Sequence, residues 1–185
     1  NPVNDVYFLL SGDVNSDMVR RVFAAADDLT QQALTTTALT TAHILLQSNG
    51  GYVSDGICLY NFLKKLPFDI VMYNAGAVAS IAVTLFLSGT RRHASDTARF
   101  MIHKSQASAS SEMGPDALQV IVDGLRADDM RTEQIMKRHL RLKVKHWKVH
   151  ACSDLHLTAK DALQVGLIDG IADFTLPKGK RVTYI

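Results

Sequence analysis

Residues Asp69–Thr90 read DIVMYNAGAVASIAVTLFLSGT, and between Ile70 and Thr90 no side chain is charged. A membrane-spanning helix needs about 20 apolar residues, so length alone allows one here. Composition argues otherwise. Asn74, Gly76, Ser80, Thr84, Ser88 and Gly89 interrupt the run, and Ile70-Val71 is β-branched. The stretch reads instead as a buried strand (Ile70 to Tyr73), a tight glycine-containing turn, and a buried helix over Ile81 to Leu87. Ser80 then falls at a helix start among the small residues Ala77, Ala79 and Ala82. Small neighbours leave room for a substrate, and free N–H groups at a helix start face developing negative charge. A nucleophilic serine needs that placement. Plain helix capping by Ser80 is the competing reading.

Composition narrows the field around this stretch. At 185 residues the chain is expected to form a single domain over 1–185 with a real core. Its 47% apolar and 21% charged content is that of ordinary globular proteins. A formal charge of +2 is too small to imply nucleic acid or an anionic membrane as partner. Cys58 and Cys152 lack paired spacing, so neither a disulfide scaffold nor a zinc site is indicated. A reducing, cytoplasmic setting is expected, and no secretory signal precedes the first strand.

Outward from the central stretch the pattern alternates. Val6 to Leu10 is an apolar strand, and a helix follows from the cap residues Asn15 and Ser16 with Met18, Val19, Val22, Phe23 and Ala26 at helical spacing. The threonine-rich run Ala33 to Ala42 is assigned no element. His43 to Gln47 is a strand leading to Ser48-Asn49-Gly50-Gly51, and Leu59, Phe62, Leu63 and Leu66 mark a helix stopped by Pro67. Arg99 to His103 is a further strand. Pro115 opens a long helix with an apolar face of Leu118, Ile121, Val122 and Leu125. Leu140, Val144, Trp147 and Ala151 form another helical stripe, and Thr158 caps a last short helix ended by Gly166. Alternating strands and helices signal an α/β fold of parallel βαβ units. Sites in such folds gather at the carboxyl ends of strands, where Gly50-Gly51, Asn74 to Ser80, and His103 all fall.

Acyl transfer by serine needs a base, a group to orient that base, and donors for the oxyanion. Of seven histidines, only His103 ends an apolar strand just after the Ser80 helix. His93 reads as part of a solvated turn. His139, His146 and His150 lie in KRHLRLKVKHWKVH, which reads as a solvated helix surface. Gly50-Gly51 can bring bare N–H groups close to a ligand, though Asn49-Gly50 is also a hairpin-turn pair. For the orienting carboxylate, spacing does not choose among Asp154, Asp161 and Asp169.

Five motifs in order resemble the proteolytic-subunit family of the Clp protease, ClpP. They are VYFLLSGDVNSDMV, then Ser48-Asn49-Gly50-Gly51 with its following helix, and Gly76-Ala77-Val78-Ala79-Ser80. Met101-Ile102-His103 is the fourth, and Asp154 with Thr158 to Ala162 and Gly166-Leu167-Ile168-Asp169 closes the series. The resemblance implies a ClpP/crotonase-like α/β fold with repeated βαβ units and a protruding long helix, the handle. It implies Ser80 as nucleophile, His103 as general base and Asp154 as the orienting carboxylate. Gly51 and Ile81 would supply backbone oxyanion donors, and Gly50, Tyr52, Lys104 and Ser105 would line the substrate. No cofactor is implied. The implied partners are a peptide or unfolded-protein substrate, further copies in a ring or stacked rings, and an AAA+ unfoldase.

The chain also departs from the family pattern. Asn49 stands for the loop proline, and Lys104-Ser105 for the Gln-Pro after the histidine. The segment ASASSEMGPD replaces a glycine-containing loop, and Ser153 replaces the arginine before the catalytic aspartate. These changes fall on the substrate edge and on ring-to-ring coupling. Two other readings compete: a catalytically silent Clp-like ring subunit, and an acyl-CoA enzyme of the wider crotonase group.

Overall fold

The computed structural model describes residues 5–36 and 41–185. The strands are β1 (Val6–Ser11), β2 (Thr41–Gln47), β3 (Asp69–Asn74), β4 (Ala77–Ala79), β5 (Arg91–Ala94), β6 (Arg99–Ile102), β7 (Leu155–Thr158), β8 (Gly170–Ile171) and β9 (Val182–Tyr184). The helices are α1 (Ser16–Thr36), α2 (Val53–Leu63), α3 (Ile81–Phe86), α4 (Pro115–His139), α5 (Val144–Cys152) and α6 (Ala159–Gln164). Six strands pair in parallel in the order β8-β5-β3-β2-β1-β9. A second sheet, β4-β6-β7, pairs β4 with β6 in parallel and β6 with β7 antiparallel. The expected α/β class is therefore observed.

Local chemistry explains the elements. Asn15 Oδ1 accepts the Met18 N–H at 3.0 Å and starts α1, whose Met18, Val22, Ala26 and Leu29 face the core. All six residues of α3 are buried. That is possible because the polar residues of the central stretch return their hydrogen bonds to the backbone. Ser88 Oγ donates to the Leu85 carbonyl at 2.7 Å, and Thr90 Oγ1 donates to Ile70 O and accepts from Ile70 N. No helix among the described residues is long and apolar enough to cross a membrane.

Several expectations need correction. The turn before Ser80 holds a short strand, β4, which joins the second sheet. His93 is not in a solvated turn: Arg91–Ala94 is β5, between β3 and β8. Buried Arg92 donates to the carbonyls of Leu167, Gly89 and Gly166 and faces Asp169 at 3.7 Å, so two adjacent arginines disguised a strand as surface. The unassigned threonine-rich run divides among the end of α1, residues 37–40 outside the described set, and the start of β2. In α4 only Ile135 and Met136 are buried, while Leu118 and Val122 of the expected apolar face are exposed. The stripe from Leu140 to Ala151 is not one helix. Leu140 ends α4 and is buried, α5 begins at Val144, and Val144 and Ala151 are exposed.

His139 and His150 are also not solvated. Lys64 Nζ donates to Tyr60 Oη at 3.1 Å, and Tyr60 Oη lies 2.8 Å from His139 Nε2. Burial, with the charges of Arg92, Lys64 and Arg138, pushes His139 down to about 4. Burial likewise lowers His43 and His150. A histidine depressed in the folded state takes up its proton first in the unfolded chain. Stability is therefore flat above the unfolded value of about 6.5 and falls as pH drops toward about 4. Urea midpoints should thus decrease between about pH 7 and about pH 5. His139→Gln, which keeps an acceptor for Tyr60, should show a shallower decrease, and an unchanged slope would contradict the assignment.

Candidate active site

Ser80 joins β4 to α3 with φ 57° and ψ −133°, the one non-glycine residue of positive φ among the described residues. Its hydroxyl makes no capping bond to the helix it precedes, so capping does not account for it. Strain of this kind costs on the order of 1–3 kcal/mol and persists only where surrounding contacts over-determine it. Those contacts are present. Ser80 N donates to Met101 O at 2.8 Å, Ala79 N to Ser48 O at 2.9 Å, and β4 runs beside β6. The strand-end segments at Ser48, Ala79 and Met101 are thus locked together, which brings Ser80 to the strand end that carries His103.

Two glycines are required by this packing. At Gly50 (φ 110°) an added Cβ would stand 2.6 Å from Ser80 Cβ and 3.1 Å from its Oγ. At Gly51 (φ 154°) it would stand 2.8 Å from the Val14 nitrogen and closer still to its carbonyl oxygen. Gly51 bridges Val14 through bonds from Val14 N to Gly50 O and from Tyr52 N to Val14 O, both 2.8 Å. That bridge makes no use of the Gly51 N–H. Asn49-Gly50 therefore belongs to a strand-to-helix crossing and not to a hairpin.

Ser80 Oγ lies 2.7 Å from His103 Nε2. His103 Nδ1 lies 4.0 Å from Asp154 Oδ1, with the Asp154 side chain 48% exposed and that of His103 19% exposed. The other two carboxylates are engaged elsewhere. Asp161 Oδ2 accepts the Thr158 N–H and hydroxyl in a capping box, and these bonds lower its pKa. Asp169 Oδ2 accepts the Arg92 N–H at 2.8 Å. Among the three, Asp154 is left to face His103.

A cavity of about 120 Å³ opens beside Ser80, walled by Val83, Ile102, Met136 and Thr132 together with Gly51 and Ser105. Ile81, whose N–H is the first of α3, also lines it. Of the residues expected along the substrate, Gly50 backs Ser80, Tyr52 is 72% exposed, and neither lines this cavity. Lys104 does not line it either: its ammonium binds Glu133 at 2.5 Å and approaches Asp129 at 3.7 Å. No motif in the sequence marks Glu133 or Asp129 as site residues. Their i,i+4 spacing on a helix is the one sequence signal that could have drawn attention to them.

A parallel α/β core with a serine held at a strand-to-helix turn, a histidine on the adjoining strand end and glycines behind the serine defines a ClpP-like hydrolase architecture. Residues 5–175 match the Clp protease family, and the chain belongs to that family. It is 28% identical over 138 residues to an ATP-dependent Clp protease proteolytic subunit 2 of Corynebacterium glutamicum, covering 74% of this chain and 67% of that protein. It is 26% identical over 171 residues to the ATP-dependent Clp protease proteolytic subunit of Ligilactobacillus salivarius, covering 91% and 84%. A ClpP1 mutant structure from Listeria monocytogenes superposes with TM-score 0.70 at 18% identity over 92% of both chains, which supports the fold.

Glycine should fit the positive-φ backbone at Ser80 better than alanine. Ser80→Gly is expected to exceed Ser80→Ala in stability by about 1 kcal/mol, net of the roughly 0.5–1 kcal/mol that glycine costs through chain entropy. Denaturant midpoints compare the two, and a lower midpoint for the glycine variant would remove the strain argument.

Proposed function

We propose that the chain is a Clp-type serine endopeptidase that hydrolyses peptide bonds of peptides or unfolded proteins through Ser80, His103 and Asp154. The observation that carries this reading is the 2.7 Å approach of Ser80 Oγ to His103 Nε2 at a strained turn no capping role explains. In the proposed reaction His103 Nε2 takes the Ser80 proton as Oγ attacks the peptide carbonyl. The tetrahedral oxyanion is held by the N–H groups of Gly51 and Ile81. His103 then gives the proton to the leaving amine, and water, activated in the same way, frees the acyl product and restores Ser80. Losing one oxyanion donor typically costs about 10²–10³ in rate.

The cavity beside Ser80, apolar along Val83, Ile102 and Met136, suits a mid-sized apolar side chain next to the scissile bond. The 4.0 Å separation of His103 and Asp154 suits a resting state whose last contact closes on assembly or on substrate binding. The proposed working form is a ring, with an AAA+ unfoldase as the proposed partner. The exposed Leu118, Val120, Val122 and Met130 of α4 fit a helix that meets another copy.

Fluorophosphonate labelling tests the nucleophile. Ser80→Ala should abolish the label while light scattering reports the same molar mass as for the parent protein. Label that survives the substitution would refute the assignment. Turnover of a crotonyl thioester in place of labelling would favour the acyl-CoA reading, and a stable ring that takes no label would favour the silent-subunit reading.

A further inference from the structure

The segment just after His103 is bonded to a single carboxylate, and the helix just before Asp154 packs a buried histidine against that same carboxylate. Glu133, at the base of α4, accepts from Lys104 Nζ at 2.5 Å through Oε1, and the same Oε1 lies 3.6 Å from His150 Nε2. Its other oxygen faces Lys137 Nζ at 3.5 Å. Lys104 follows His103 directly, while His150 precedes Asp154 by four residues on α5. The intervening backbone is short and bonded: Ser153 N donates to Val149 O at 2.8 Å. One turn earlier on α4, Asp129 Oδ1 accepts the Ser105 N–H at 2.7 Å and reinforces the first attachment.

The arrangement is more than a surface ion pair. His150 is 3% exposed, and the ring of Trp147 meets its edge with centroids 5.8 Å apart. Its Nδ1 is buried with no hydrogen-bond partner among the described residues, and Nε2 is the ring nitrogen that faces Glu133. Burial pushes the Glu133 carboxyl up, but the Lys104 bond and the charges of Lys104, Lys137 and His150 outweigh this and leave it lowered. Neither Glu133 nor His150 touches the Ser80 cavity. Nothing in the proposed reaction uses them.

We propose that Glu133 is a positioning residue that sets the His103–Asp154 separation by tethering the His103 segment through Lys104 and the Asp154 segment through His150. The reading rests on the proposed triad and adds to it the group that holds two of its members in register. With Glu133 ionised, both segments are drawn against α4. Without it, Lys104 keeps only the 3.7 Å approach to Asp129, and the buried His150 Nε2 loses the carboxylate it faces at 3.6 Å.

The test is a double-mutant cycle on the intact chain, read as the rate of fluorophosphonate labelling at Ser80. Glu133→Gln should slow labelling by roughly 10–100-fold, the cost of about an ångström of misplacement, with molar mass and far-UV circular dichroism unchanged. Asp154→Asn should slow it at least as much. The double variant should be no slower than Asp154→Asn alone, because the tether acts through that carboxylate. Costs that add, or a Glu133→Gln protein labelled at the parent rate, would overturn the proposal. If Glu133→Gln does not fold, His150→Phe enters the same cycle with the same expected outcome.

Nitrogen shifts of the His103 ring in ¹⁵N-histidine protein give a readout independent of chemistry at Ser80. They should move in Glu133→Gln (or in His150→Phe) in the same direction as in Asp154→Asn, and unmoved shifts refute the tether. If the parent protein takes no label at all, the peptidase reading fails while these shifts still decide the role of Glu133.

Discussion

The backbone reversal at Ser80 is the constraint that the surrounding structure serves. A residue with a side chain holds a conformation that suits glycine, so its neighbours must supply the energy that its own torsions oppose. They do so through main-chain bonds from two directions, the Ser80 N–H to Met101 O on one side of β4 and the Ser48–Val78 bridge on the other. The same crowding removes the side chain at position 50, where any Cβ would strike Ser80. Strain, glycine loop and strand pairing are thus one feature seen from three positions.

The apolar stretch around this turn can be buried because several of its polar side chains bond to backbone. Ser88, Thr90 and Asn74 all bond to backbone, Asn74 Nδ2 reaching Arg99 O at 2.9 Å. Buried Arg92 works over a longer range. Its guanidinium gathers the carbonyls at the end of α6 and at Gly89, so the C-terminal segment is fixed against β5. Leaving any of these groups unpaired would cost about 1–3 kcal/mol each, which explains why polar residues inside the core act as specifiers of register.

The region after His103 follows different rules. The Lys104–Glu133 pair is short and partly shielded, and it joins a loop to a long helix whose first turns stand in solvent. A helix of 25 residues with two buried positions gains little from its own chain's core. Its apolar residues are better explained by surfaces outside this single chain, in line with the proposed assembly. The ionic contacts at its base then fix where it leaves the body of the protein.

The order β1-α1-β2-α2-β3-α3-β6-α4, the burial of the central stretch and the serine turn were legible in the residues, because apolar runs and glycine placement report burial and backbone sign directly. Tyr60 and His139, or Lys104 and Glu133, could not be paired from the sequence, since contacts across about 80 or 30 positions leave no local periodicity. β5 was hidden because Arg92 buries its charge among carbonyls supplied by a distant segment, and the long helix was assigned a core face because its hydrophobicity is real but unspent within the chain. Spacing alone left three aspartates open to face His103 and the family resemblance pointed to Asp154; the packing supplies the physical reason, since Asp161 caps α6 and Asp169 binds β5. Sequence fixes what each residue can do on its own backbone. Only the packed structure selects the partner, because that choice depends on distances the linear order does not contain.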